Sequence, residues 1–123
     1  MPHLYQTRIW QALLPDGWKA RELYFDFATF YRPDGIGQIS VVVGPKGGEM
    51  PKPTLSSERF SGKLQGFIMT TKGSTIFSRR WWLSCGDRFL YVDYSCASSF
   101  ADAERDEVDA ILKTMEESDA QAS

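Results

Sequence analysis

Apolar and polar residues alternate in short runs from Ile9 to Cys96, and this period of two predicts strands. In the first third the runs fall at Ile9–Leu14, Trp18–Tyr24, Phe27–Arg32 and Ile36–Val43. Two Pro-Asp-Gly turns, Pro15-Asp16-Gly17 and Pro33-Asp34-Gly35, punctuate them, because Pro presets one turn angle and Gly accepts the next. Three Pro and three Gly between Gly44 and Pro53 forbid regular pairing, so this segment is a loop, with a short helix expected over Thr54–Phe60. A meander follows: Leu64–Thr71, Thr75–Ser84 and Phe89–Cys96, joined at Lys72-Gly73-Ser74 and Cys85-Gly86-Asp87-Arg88. From Asp102 to about Glu117 the period turns helical. Val108, Ile111, Leu112 and Met115 then form one apolar stripe, with Ser99 or Asp102 as the cap. The prediction is a single α+β domain over 1–118, a twisted, mainly antiparallel sheet with a C-terminal amphipathic helix on one face, and a frayed tail at 119–123.

Register arithmetic across the last turn sets Ser84 opposite Phe89, Trp82 opposite Tyr91, Arg80 opposite Asp93 and Phe77 opposite Cys96. An Arg80–Asp93 cross-strand pair follows. The same parity assigns Phe77, Arg79, Trp81, Leu83, Leu90, Val92 and Tyr94 to the helix side, with Phe67 and Met69 from the neighbouring strand. Ile68, Ile76, Arg80, Trp82, Phe89, Tyr91 and Asp93 are left on the other face, a large aromatic surface if nothing covers it.

Composition then narrows the chemistry. The 123 residues are 42% hydrophobic and 14% aromatic, too apolar for a disordered chain, and no run approaches the roughly 20 residues needed to cross a bilayer. The start shows no basic segment followed by a long apolar stretch, so cytoplasmic is the expected location, with no membrane partner. The single histidine, His3, is expected on a mobile terminus, which leaves no nucleophile–histidine arrangement. Cys85 and Cys96 supply no metal-ligand spacing. They lie about seven strand residues, roughly 23 Å, apart along a hairpin, too far for a disulfide, so both should be free thiols. Arg88 beside Cys85 would favour a thiolate, while the plainer reading is a structural thiol. Gly35-Ile36-Gly37 lacks the third glycine and the following helix of a dinucleotide loop, and Gly44-Pro45-Lys46-Gly47-Gly48 lacks the continuation of a phosphate loop; both read as turns. The acids Asp102, Glu104, Asp106, Glu107 and Asp109 read as a solvated helix face. No catalytic, cofactor or metal residue is predicted.

Ser78-Arg79-Arg80-Trp81-Trp82-Leu83 combines arginine with tryptophan, but alternation along a strand sends neighbours to opposite faces and breaks any basic stripe. Nucleic acid is therefore not the expected partner. Trp, Tyr and Arg are instead the residues that most often dominate protein interfaces.

The order of elements carries a resemblance. A hairpin around Leu14-Pro15-Asp16-Gly17-Trp18, a strand after Tyr31-Arg32-Pro33-Asp34-Gly35, the late hairpin Arg79 to Cys96 and the closing helix Glu104 to Met115 resemble the PsbP-like superfamily. That superfamily takes in PsbP, a Ran-binding nuclear import factor and bacterial DcrB-type proteins. The likeness runs from about Trp10 to Met115, and departs from the pattern at Gly44–Pro53, where a long helix has no room. The resemblance implies the fold and brings no catalytic residues. It also implies a small bacterial accessory protein, such as a secretion-effector chaperone or an immunity-type inhibitor.

Two functional expectations follow. The first is a non-enzymatic protein-binding module acting by occlusion through the open face, with Trp82, Tyr91, Arg80, Ile76, Phe89 and Asp93 as partner-binding residues, the same face also allowing a homodimer. The alternative is a small-molecule binder or weak hydrolase with a pocket between the sheet and the 44–60 loop, anchored by Asp93 and Tyr91. Charge adds one refinement. The net charge of -2 is an average, since residues 102–119 carry -6 and the remainder +4, which opposes an acidic helix side to a mildly basic aromatic side.

Overall fold

The computed structural model describes residues 1–24 and 27–118; the tail expected at 119–123 lies outside the described residues. Two turns with glycine in the left-handed region, Gly17 (φ 92°) and Gly86 (φ 62°), redirect the chain where the Pro-Asp-Gly and Cys-Gly-Asp-Arg signals stand. Strands β1 (His3–Gln6), β2 (Trp10–Leu14), β3 (Lys19–Tyr24), β4 (Phe27–Tyr31), β5 (Gln38–Val43), β6 (Glu58–Ser61), β7 (Gln65–Lys72), β8 (Ile76–Cys85) and β9 (Arg88–Ala97) precede helix α1 (Arg105–Thr114) and the two-residue β10 (Glu116–Glu117). Seven of them form one antiparallel sheet in the order β3-β4-β5-β9-β8-β7-β6. A second sheet, β1-β2-β10, lies with α1 over one face of the first. The core between these layers holds Trp10, Leu14, Trp18, Phe30, Ile39, Trp81, Leu90 and Val92, closed by the helical stripe Val108, Ile111, Leu112 and Met115. Ring contacts tie the small sheet down: Tyr5 and Trp10 both meet Phe30 of β4 edge-on, at 5.3 and 5.8 Å.

Several expectations are corrected. β2 does not form a hairpin with β3 across Pro15-Asp16-Gly17; the turn carries the chain from one sheet to the other, and β2 pairs with β1 and β10 instead. His3 stands in β1 opposite Leu14, not on a loose end. The segment Thr54–Phe60 forms a turn at Ser57 and then β6, because Arg59 and Phe60 pair with Phe67 and Gly66. The helix starts at Arg105 and ends at Thr114; Glu104 occupies the cap position, and neither Ser99 nor Asp102 does. After it Met115 turns extended (φ -64°, ψ 133°), which lets Glu116 pair with Gln11.

One correction moves side chains between faces. All four β8–β9 pairs appear as expected. The β7–β8 connection, however, pairs Lys72 with Phe77 and leaves four residues between them, not the three expected between Thr71 and Thr75. The change in pairing parity flips every β7 side chain. Ile68 therefore joins Trp81 in the core, while Phe67 and Met69 face outward opposite Trp82 and Arg80.

Candidate functional site

Alternation along the strands builds the outer face of the large sheet in cross-strand rows. One row reads Arg59, Phe67, Trp82, Tyr91, Val42. Its rings touch in sequence: Phe67 stacks on Trp82 at 5.1 Å and 15°, and Trp82 meets Tyr91 at 5.1 Å and 44°. Phe67 is only 5% exposed although it lies outside the main core, with one ring face covered by Trp82. Burial raises the Tyr91 phenol, Asp93 raises it further and Arg80 opposes, so the hydroxyl stays a donor at neutral pH. The next row reads Met69, Arg80, Asp93, Ser40, Thr29, Arg21. Here the expected pair is present, Arg80 Nε to Asp93 Oδ2 at 3.9 Å, and Ser95 Oγ donates to Asp93 Oδ1 at 2.9 Å. A third row contains Ser78, Ser95, Gln38, Tyr31 and Lys19.

Of the six residues singled out from sequence, Trp82, Tyr91, Arg80 and Asp93 meet in the first two rows. Ile76, 55% exposed, lies on the same face at the start of β8. Phe89 lies near the β8–β9 turn, with its ring over Gly44, where a Cβ would collide with it. Phe67 is the member that sequence reasoning misplaced; its signal was the length of the turn before β8.

Beside Phe89 a groove of about 1060 Å³ lies between the sheet and the loop that precedes β6. Phe67 and Phe89 form part of its lining, with Met50, Pro51 and Pro53 on the loop side. Neither Asp93 nor Tyr91 lines it, which corrects the anchors expected for a pocket here. The charges around it balance, Lys52, Arg59 and Arg88 against Glu49, Glu58 and Asp87, and Asp87 is paired with Lys46 at 3.7 Å.

On the other side of the sheet the helix acids divide: Asp102 and Asp106 are exposed, as a solvated face requires, whereas Glu104, Glu107 and Asp109 are engaged by the fold. Glu104 is 5% exposed and accepts from the Tyr94 hydroxyl at 2.8 Å, the Gly37 N–H at 2.8 Å and the Ile36 N–H at 3.4 Å. Glu107 accepts from Trp18 Nε1 at 2.8 Å and from Arg32 at 3.0 Å, and Asp109 reaches Arg79 at 3.5 Å. These carboxylates clamp both Pro-Asp-Gly turns and β8 to the helix. They also explain Gly35-Ile36-Gly37: a Cβ on Gly35 would lie 2.7 Å from the Glu104 carboxylate, and one on Gly37 would lie 2.6 Å from the Tyr94 ring. The bonds that hold Glu104 use its acceptor capacity within the fold and assign it a structural role.

Cys85 and Cys96 are free and buried. The Cys85 thiol points to the Ile9 carbonyl at 3.7 Å, and burial, with Glu117 and Asp87 nearby, pushes its pKa up to about 11. The possibility of an activated thiolate is thereby reversed. Burial and then the hydrogen bond to Glu104 hold the Tyr94 phenol protonated far above its ordinary range. Both groups are raised, so the stability each contributes is fully present below its unfolded pKa, roughly 8.5 for the thiol and 10 for the phenol, and is lost as pH rises further. Urea stability should therefore be level from about pH 7 to 8.5 and decline above it, and Cys85→Ala should delay that decline to about pH 10. A wild-type profile flat through pH 10.5, followed by urea unfolding in steps, would contradict these two assignments.

No protein-family model matches the chain, and no curated protein sequence matches it. Solved structures resemble it in fold, two of them as follows. The crystal structure of a protein from Bacteroides thetaiotaomicron VPI-5482 superposes with TM-score 0.64 and 15% identity over 88% of this chain, which spans 44% of that chain's length. The solution structure of cyanobacterial PsbP (CyanoP) from Synechocystis sp. PCC 6803 gives TM-score 0.64 at 12% identity, covering 94% of this chain and 92% of that one. At such identities the likeness speaks for fold and carries no residue's role. By its strand order, its closing helix and its superposition on CyanoP, the chain is a single α+β domain with the PsbP-like fold.

Proposed function

We propose that this domain is a non-enzymatic protein-binding module of the secretion-chaperone or immunity-inhibitor kind, which acts by covering part of a partner with the outer sheet face. The observation that carries this reading is the row Phe67, Trp82, Tyr91, Val42. Its rings are already held by one another, and Trp82 and Tyr91 are only half-buried. Side chains fixed before binding lose little rotamer freedom in a complex, which is what makes aromatic anchors efficient. Selection of displayed random peptides on the immobilised protein should enrich binders that fail on a Trp82→Ser, Tyr91→Ser double variant. Retained binding to the double variant, with its fold confirmed by circular dichroism, would remove this face from consideration.

The groove supports a second reading, a small-molecule site, since its volume is at the upper end of ligand pockets and Phe67 and Phe89 give it an apolar lining. A fragment screen by amide-shift NMR separates the two. Perturbations confined to Gly48, Arg88 and Phe89, sparing Trp82, favour the groove.

A further inference from the structure

Among the described residues, the register of the seven strands places four cations on the outer face, Lys19, Arg21, Arg59 and Arg80, against one acid at a strand position, Asp93. They are spread across the sheet, roughly 29 Å from β3 to β6 at ordinary strand spacing. Arg80 is shared with Asp93 at 3.9 Å, and Arg21 lies over the Tyr31 ring at 5.8 Å. Lys19 and Arg59 have no ion-pair partner among the described residues. The helix acids cannot neutralise them, because Glu104, Glu107 and Asp109 are committed to Tyr94, Trp18, Arg32 and Arg79 on the opposite side of the sheet. Along the strand rows the cations therefore outnumber the acids, while Glu49, Glu58 and Asp87 stand around the groove at the Arg59 end of the face.

We propose that the occupant of this face is an acidic segment of a partner protein, and this rests on the protein-binding reading above. Its apolar side chains lie along Trp82, Tyr91 and Val42, and its carboxylates reach Arg59 on one side and Arg80 and Arg21 on the other. Charge complementarity of this kind sets orientation and association rate, with the buried apolar row supplying most of the affinity. Single-stranded nucleic acid is the weaker match. Base stacking needs free ring faces, whereas Phe67 and Trp82 already stack on each other and Phe67 is buried.

The test uses three twelve-residue peptides sharing the same four Leu and Phe positions and carrying Glu, Gln or Lys at the remaining polar positions, with oligo(dT) as a fourth probe. Three of the four tryptophans, Trp10, Trp18 and Trp81, are fully buried, so changes in intrinsic emission report on Trp82. The Glu peptide should bind at least about tenfold more tightly than the Gln peptide, and the difference should shrink between about 50 and 500 mM salt. An Arg21→Gln, Arg59→Gln, Arg80→Gln variant should retain the fold and lose the preference. Equal binding of the Glu and Gln peptides overturns the acidic partner and leaves the open-face reading standing. Preference for the Lys peptide or for oligo(dT), no binding by any probe, or tighter self-association than peptide binding overturns it as well. The open-face reading itself falls only if the Trp82, Tyr91 double variant keeps its selected binders.

Discussion

Replacing Glu104 by alanine should cost about 3–5 kcal/mol, a large share of the stability of an ordinary domain, and lower the melting temperature by roughly 10–20 °C. The reason is accounting of donors. The carboxylate is buried and accepts from the Tyr94 hydroxyl and from the N–H groups of Gly37 and Ile36. Alanine removes the acceptor, leaving the Tyr94 hydroxyl buried and the Gly37 and Ile36 amides part-buried, and each buried unpaired donor costs on the order of 1–3 kcal/mol. Glu104→Gln keeps one acceptor oxygen and sets an amide group against the other donors, so it should fall between the wild type and the alanine variant. Tyr94→Phe removes the hydroxyl but leaves the Glu104 carboxylate bonded to the backbone N–H groups, and should cost about 1 kcal/mol. In a double-mutant cycle Glu104 and Tyr94 should couple by about 1–2 kcal/mol. Urea unfolding of the five proteins decides the matter, and an alanine variant within about 1 kcal/mol of wild type would show that water replaces the carboxylate.

Gly66→Ala is the second large effect, and here the cause is backbone against backbone. A Cβ on Gly66 would run into the Trp82 carbonyl and lie 2.8 Å from its carbon, with Leu83 Cα at 3.0 Å. No side chain can swing aside, so β7 must part from β8, at a cost of about 3 kcal/mol by analogy with overpacked cores. Phe67 is the next residue, and its stack on Trp82 should be lost with the same shift. The expected signature is therefore double: a lower unfolding midpoint and changed Trp82 emission in the folded state. Gly47→Ala is the matched control, since nothing lies within 4 Å of its Cβ and only its left-handed backbone (φ 75°) opposes alanine. It should cost about 1–2 kcal/mol and leave the Trp82 signal alone. A Gly66→Ala protein as stable as the Gly47→Ala protein would refute the close approach.

How much of this was open to a reader of the sequence depended on how local the determining interaction is. The β8–β9 register is set by Gly86 and Asp87 in a tight turn, so counting residues across it placed Arg80 opposite Asp93 and Trp82 opposite Tyr91. The stripe Val108, Ile111, Leu112, Met115 was legible because helical spacing alone defines it. Phe67 was not legible. Its face depends on whether three or four residues separate the paired ends of β7 and β8, and one residue's difference exchanges Phe67 for Ile68. The groove was foreseen from the Pro/Gly-rich loop, while its lining was not, since Asp93 and Tyr91 lie away from it.

The sequence by itself determined the class of fold, the helix stripe, the late hairpin and the set of aromatic and basic residues from which a binding face could be made. Periodicity and turn chemistry act within a few residues, and those signals survive without any tertiary context. Only the tertiary structure decided that β2 leaves β3 to pair with β1 and β10, that Phe67 completes the outer row, and that Glu104 turns inward. Each of those outcomes depends on what stands opposite across the sheet or the core. A charged helix position reads as solvent-facing until Tyr94 and Gly37, far away in the chain, are seen to supply the bonds that make its burial favourable.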